Sequence, residues 1–175
     1  PRLSSKPAER SRGMILMDLN EQVEWDFSRA LRKGRLRRLV SRLRGKSTAS
    51  GTSPSFEELQ GTLQAYNRVR RGIKVVELEK IVGSVGRSRD FDHCFMPLRA
   101  AAGERWKRVD LAFYRDQALP PVSLYKVGDE YFVEDGNHRI SVARYHGIPD
   151  VEADVTELWP ARAENRDAGP ETMAA

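Results

Sequence analysis

Cysteine is almost missing from this chain: of 175 residues, only Cys94 carries a thiol. That excludes an internal disulfide and any zinc site built from several cysteines. Set between His93 and Phe95, the thiol reads either as a reactive group or as a small core residue. Long apolar runs are missing too. No stretch approaches the roughly 20 apolar residues that span a bilayer. Met14 to Leu19 is too short for the core of a secretory leader, and it holds Asp18. The expectation is a cytoplasmic protein. Aromatics make up 8% and hydrophobic residues 39%, enough for one modest core. The length suits one compact domain with an appended helical element.

Acid is scarce where base is dense. Residues 1–46 hold thirteen Lys/Arg against five Asp/Glu, and the remainder seventeen against twenty, so +8 and −3 sum to the net +5. A basic arm joined to a mildly acidic body points to a polyanionic partner. Between Arg29 and Lys46 there are nine basic residues and no acid. Of these, Arg29, Arg32, Lys33, Arg35, Arg37, Arg38, Arg42 and Arg44 are the candidate contacts to DNA or RNA, since phosphate contacts supply non-specific affinity. Leu36, Leu39, Val40 and Leu43 recur at i, i+3, i+4 and i+7 and share one helix face. Two other readings therefore stay open. That face packs on the body or on a partner protein with the arginines solvated, or the helix lies on anionic membrane, where Trp25 and Phe27 would be its only aromatic anchors. Gly34 is expected to interrupt or bend the helix.

Composition divides the chain into a Pro/Ser/Arg-rich leader (1–13), a basic amphipathic helical arm (14–46), a linker (47–54), a folded domain (55–159) and a frayed tail (160–175). Ser55-Phe-Glu-Glu58 reads as a capping box opening a helix that turns Phe56, Leu59, Leu63, Tyr66 and Val69 inward and stops near Gly72. Ile73–Leu78 reads as a strand, Glu79–Gly86 as a turn or short helical piece, and Gly86–Asp92 as a polar loop. One or two helices are expected over 93–117, with Trp106, Val109, Leu111 and Phe113 as core candidates. Pro121–Tyr125 and Tyr131–Glu134 read as a hairpin around Gly128-Asp129. A short helix over Asn137–Tyr145 ends at Gly147, in the position glycine favours, and Val151–Leu158 is the last strand.

The chemistry concentrates at Asp135-Gly136-Asn137-His138-Arg139. A strand runs into a glycine, and a helix opens at once. The first N–H groups of a helix have no internal partners and carry the positive end of its dipole, a ready anion site. Gly136 removes the side chain that would keep a phosphate away, and Arg139 can grip one with paired hydrogen bonds. The same five residues are also compatible with a plain turn, in which Asp135 caps the helix, Arg139 is a surface cation and His138 pairs with Glu134.

The run from Glu134 through Gly136-Asn-His-Arg139, Ala143 and Gly147 to Val155 resembles the ParB/sulfiredoxin superfamily. That family shows a strand, a Gly-x-His/Arg-Arg turn, an inner-face alanine, a glycine stop and a Val-rich strand. Pro121-Val122 is similar to its Pro-Ile strand, and Val76–Val82 with Arg89-Asp-Phe-Asp92 to its first strand and Arg-bearing loop. The resemblance covers roughly residues 73–157. It implies an α+β fold, a small mixed sheet wrapped by short helices, and a site for CTP, ATP or, as in free-serine kinases, ADP. Carried over, Gly136, Asn137, His138 and Arg139 would hold phosphates, and Arg89 would reach over them. Asp90, Asp92 and Asp135 are the candidate catalytic or water-positioning carboxylates, with Asp90 and Asp135 the candidate Mg²⁺ ligands. Glu77 and Glu79 are weaker general-base candidates.

Departures narrow the activity. Asn137 stands where sulfiredoxins carry their catalytic cysteine, so sulfinic-acid reduction is not expected. About fifteen residues follow Pro160, too few for the helix-turn-helix and dimerising parts of a partition protein. The expectation is a ParB-like nucleotide-binding module with a nucleic-acid-contacting arm and slow hydrolysis, alone or as a homodimer. The alternatives are a phosphotransferase resembling the free-serine kinases and, last, a ParB-like nuclease, for which no dense acidic metal cluster is visible.

Overall fold

A computed structural model describes residues 18–43, 66–85 and 90–160. Within these, helix α1 (Leu19–Leu43) precedes strand β1 (Tyr66–Glu77), a single 3₁₀ turn (Leu78–Lys80) and strand β2 (Ile81–Ser84). Helix α2 (Gly103–Tyr114), strands β3 (Val122–Val127) and β4 (Glu130–Asp135), helix α3 (Asn137–His146) and strand β5 (Asp150–Pro160) complete the order. The sheet runs β1-β5-β3-β4-β2. The pairs β1/β5 and β3/β4 are antiparallel, while β3/β5 and β2/β4 are parallel. This is the mixed-sheet α+β architecture expected from the sequence.

Helix α3 lies between two apolar layers. Ile140 and Ala143 join Val76, Val122, Leu124, Val133 and Val155 over the sheet. One residue on, Val142 turns the other way and joins Phe27, Ala30, Phe91, Met96 and Trp106 among the helices. Trp106 is fully buried, and its indole N–H donates to Ser141 Oγ at 2.8 Å. Burying the indole without that acceptor would strand a polar group. Helix α3 closes on Gly147 at φ 71°, as the sequence pattern predicts.

Several expectations are corrected. Residues 66–72 are strand rather than the end of a helix, because Tyr66–Glu77 pairs along the whole of β5 with a bulge between Arg70 and Gly72. Alternation is weak there since this edge strand leaves Val69, Ile73 and Val75 exposed. The Glu79–Gly86 segment supplies β2, which pairs with β4. Residues 93–99 are irregular, and the helix begins only at Gly103. Outside the described residues lie the expected leader, linker, capping box and tail, with Arg44 and Arg89.

Helix α1 holds the largest correction. It packs through Val23, Phe27, Ala30 and Gly34, at i, i+4, i+7 and i+11. The stripe read as its apolar face is the exposed one: Leu36 is 62% accessible, Leu39 54% and Leu43 79%. Gly34 does not interrupt the helix, which runs unbroken over Leu19–Leu43; it faces the 96–97 loop at close range. A Cβ there would stand 2.5 Å from the Pro97 carbonyl oxygen and 3.2 Å from Met96 Cβ. Gly34→Ala should therefore destabilise the fold by about 1–2 kcal/mol, an overpacking cost that outweighs the roughly 1 kcal/mol gain in helix propensity. Urea unfolding checks this, and a stabilised variant would refute the contact.

Candidate functional site

Strand β4 delivers Asp135, and Gly136 turns the chain into α3 at φ 109° and ψ 20°. A side chain is excluded there twice. The backbone is left-handed, and a Cβ would lie 2.6 Å from Val122 Cγ1 on the neighbouring strand. The Gly136 carbonyl accepts the Ile140 N–H at 3.0 Å. The first amides of a helix have no intrahelical acceptor, and Gly136 at the N-cap supplies no side-chain cap.

Arg139 lies over this turn, its Nε 3.2 Å from the position of a Gly136 Cβ. Its guanidinium donates to the carbonyls of Pro120 and Pro121, the latter at 2.8 Å, and to Asp135 at 2.7 Å. Two of the three parts of the plain-turn reading do not describe it: Gly136, not Asp135, is the cap residue, and Arg139 is held by two carbonyls and Asp135 rather than standing as a surface cation. The Asp135 carboxylate is 75% accessible, against 16% for the arginine. The protein's own acid thus occupies the guanidinium from the solvent side.

Asn137 and His138 are 5% and 8% accessible. The His138 ring meets Phe91 edge-on, centroids 5.1 Å apart, and Asn137 Oδ1 is buried without a hydrogen-bond partner. Glu134 instead accepts from Tyr125 Oη at 2.6 Å. The main-chain amides and Arg139, more than the two buried side chains, are what this turn offers an anion.

The remaining carboxylates separate by role. Asp92 Oδ1 accepts the amides of Cys94 and Met96, both at 2.8 Å, which fixes the loop that carries Phe91. Its Oδ2 lies 4.0 Å from Arg37 of α1. Asp90 pairs with Arg99 at 3.7 Å, and Glu77 with Lys80 at 3.0 Å. For a Mg²⁺ ion carried by a polyphosphate, Asp135 is the carboxylate that fits: it is exposed and beside the turn, whereas Asp92 is committed to amides.

Arg144, which sequence reasoning passed over, donates to the carbonyls of Leu78 and Ile81 at 2.7 Å each and lies over the Phe95 ring. It ties α3 to the turn between β1 and β2. Burial pulls its pKa below the usual arginine value. An arginine inside a helix gives no signal in sequence that its partners are distant carbonyls.

Along α1, Arg29, Arg32, Lys33, Arg35, Arg38 and Arg42 are exposed and Arg37 is half-buried. Among the described residues, only Arg37 of these is near a carboxylate, that of Asp92. Arg32 and Arg35 reach the carbonyls of Ser28 and Leu98, and Arg29 lies over Trp25. The row keeps its charge. Among the described residues, no helix is long and apolar enough to cross a membrane.

No family model matches the chain, and no curated protein does. Among solved structures it is similar to sulfiredoxin from Arabidopsis thaliana, with 20% identity over 47% of this chain and 82% of that one and a TM-score of 0.36. So slight an overlap carries no argument about activity.

Proposed function

We propose that this chain is a nucleotide-binding module that holds the phosphates of a CTP- or ATP-type nucleotide at the start of α3 and contacts DNA or RNA through α1. The observation that carries the reading is the Gly136 turn. A residue that cannot bear a side chain opens a helix whose first amides and one guanidinium share a small region, and anions bind such termini. The Asp135 carboxylate counts against an open site, since it already holds Arg139 and a phosphate would have to displace it. Arg89 would close over the phosphates, and the exposed cations of α1 would follow a nucleic-acid backbone. When bound, Mg²⁺ would neutralise polyphosphate charge, with Asp135 as its protein ligand. Turnover, where it occurs, is slow hydrolysis. The kinase-like alternative gains nothing from Glu77, which is paired with Lys80.

The test is a thermal-shift panel of CTP, ATP, ADP and GTP with and without Mg²⁺, because a ligand binding only the folded state raises its stability by mass action. One nucleotide should raise the melting temperature in a concentration-dependent way. A flat panel would sink the phosphate site.

Asp135→Asn gives a signed prediction. Without Mg²⁺ the variant should bind nucleotide several-fold more tightly, because Arg139 is released and a like charge is removed, worth about 1 kcal/mol at an exposed pair. With Mg²⁺ the gain should shrink or reverse, as the ion loses its carboxylate. Isothermal titration under both conditions reads the difference, and equal affinity in all four arms would remove Asp135 from the site.

A further inference from the structure

Where the three helices meet, a second group of polar residues is buried, and neither the phosphate turn nor the charged row uses it. Asp26 comes from α1, Asp110 from α2 and His146 from the last turn of α3. Asp26 is 3% accessible and Asp110 is fully buried. One ligand-capable atom from each of the three lies within 4.8 Å of the others.

Their hydrogen bonds leave a gap. Asp26 Oδ1 accepts from Tyr145 Oη at 2.6 Å, and Oδ2 from Tyr114 Oη at 2.6 Å and Gln22 Nε2 at 3.0 Å. Three donors on four lone-pair sites leave Oδ1 one free site. Asp110 Oδ1 meets His146 Nε2 at 2.6 Å. Asp110 Oδ2 is buried and has no hydrogen-bond partner. Two carboxylates thus share a buried junction with one imidazole, which is stacked on Phe113 at 4.2 Å. Buried charge of one sign is costly unless a cation offsets it.

We infer that Asp26, Asp110 and His146 form a binding site for a divalent transition-metal cation, Zn²⁺ foremost, at the α1–α2–α3 junction. Two carboxylate oxygens and an imidazole nitrogen suit Zn²⁺ or Mn²⁺, whereas Mg²⁺ keeps its waters and fits a closed protein cage poorly. Ligands about 2.0–2.2 Å from a tetrahedral ion lie roughly 3.5 Å apart. The cluster therefore closes by a small side-chain rotation, with the His146–Asp110 bond opening as the ion enters between them. The bound ion would join one residue from each helix and fasten the docked half of α1 to the body.

The experiment uses the full chain stripped with chelator and titrated with Zn²⁺, Mn²⁺ and Mg²⁺ by calorimetry and thermal shift. Zn²⁺ should bind one per chain. It should raise the melting temperature by roughly 5–10 °C at a hundredfold excess over its dissociation constant, and Mg²⁺ should do neither. Asp110→Asn and His146→Gln should each abolish both effects. Should those variants fail to fold, the wild-type chain still decides: the His146 ring resonances must shift on Zn²⁺ addition. No Zn²⁺ heat, an unmoved His146 ring, or stoichiometric binding that survives in either variant and disappears in His93→Ala/Cys94→Ser would each overturn the site.

Discussion

Replacing Arg32, Lys33, Arg35, Arg38 and Arg42 together by Gln is expected to remove nearly all salt-sensitive nucleic-acid binding while leaving the nucleotide response intact. All five side chains are exposed and lie on α1, and Gln keeps helix propensity close to that of Arg and Lys. The fold should therefore survive. If each cation neutralises one phosphate, log K falls with log salt at a slope of about −4.5 for duplex DNA. Between 50 and 200 mM salt the unmodified chain should then lose about 500-fold in affinity. The Gln variant should be nearly flat over that range. Fluorescence anisotropy with a labelled duplex and a labelled single strand reads both slopes. A variant with the parent's slope would show that the row is merely solvated, and binding lost at low salt together with a fallen melting temperature would show that α1 had come away from the body.

Trp106→Ala should cost about 4 kcal/mol, within the usual range for a fully buried large aromatic replaced by alanine. The indole is wholly inaccessible and packs against Phe27 at 5.6 Å and Tyr145 at 5.5 Å between ring centroids. Its loss opens a cavity where α1, α2 and α3 converge and leaves Ser141 Oγ without its donor. For a chain of this length each kcal/mol is worth roughly 2–4 °C, so the melting temperature should fall by about 8–16 °C. Trp106→Phe, which keeps a ring but loses the N–H, should fall by less than half as much. Thermal unfolding followed by circular dichroism separates the two. A small loss in the alanine variant would mean that the helical layer is not one cooperative unit with the sheet.

The last third of the chain was legible because its signals are local. Gly128, Gly136 and Gly147 all adopt positive φ, and each sits where the sequence places a turn or helix end. Between the first two lies strand β4, and between the last two helix α3. Trp106 declared itself by size. The α1 interface did not, because beside Val23 and Phe27 it is completed by Ala30 and Gly34, small residues that buried packing needs and hydrophobic periodicity underweights. The leucines that dominate the pattern are exposed. Strand β1 hid its identity at an edge, where one face meets solvent and Arg68, Arg70 and Arg71 break up the apolar pattern. Asp26, Asp110 and His146 were invisible for a different reason. Their shared neighbourhood exists only once three helices have docked, and no spacing along the chain encodes it.

One consequence follows from where α1 stops touching the body. Gly34 is its last buried residue, Arg37 still reaches Asp92, and Arg42 lies five positions beyond Arg37, about 7.5 Å along the axis at 1.5 Å per residue. Electrostatic screening at physiological ionic strength has a length of about 8 Å. Arg42 therefore stands about one screening length past that ion pair with the slightly negative remainder of the molecule, while Arg35 stands well within it. On the proposed reading, a strand approaching in solution would meet the outermost cation first and be drawn inward along the row, and the helix would work as a landing rail whose far end makes the first capture.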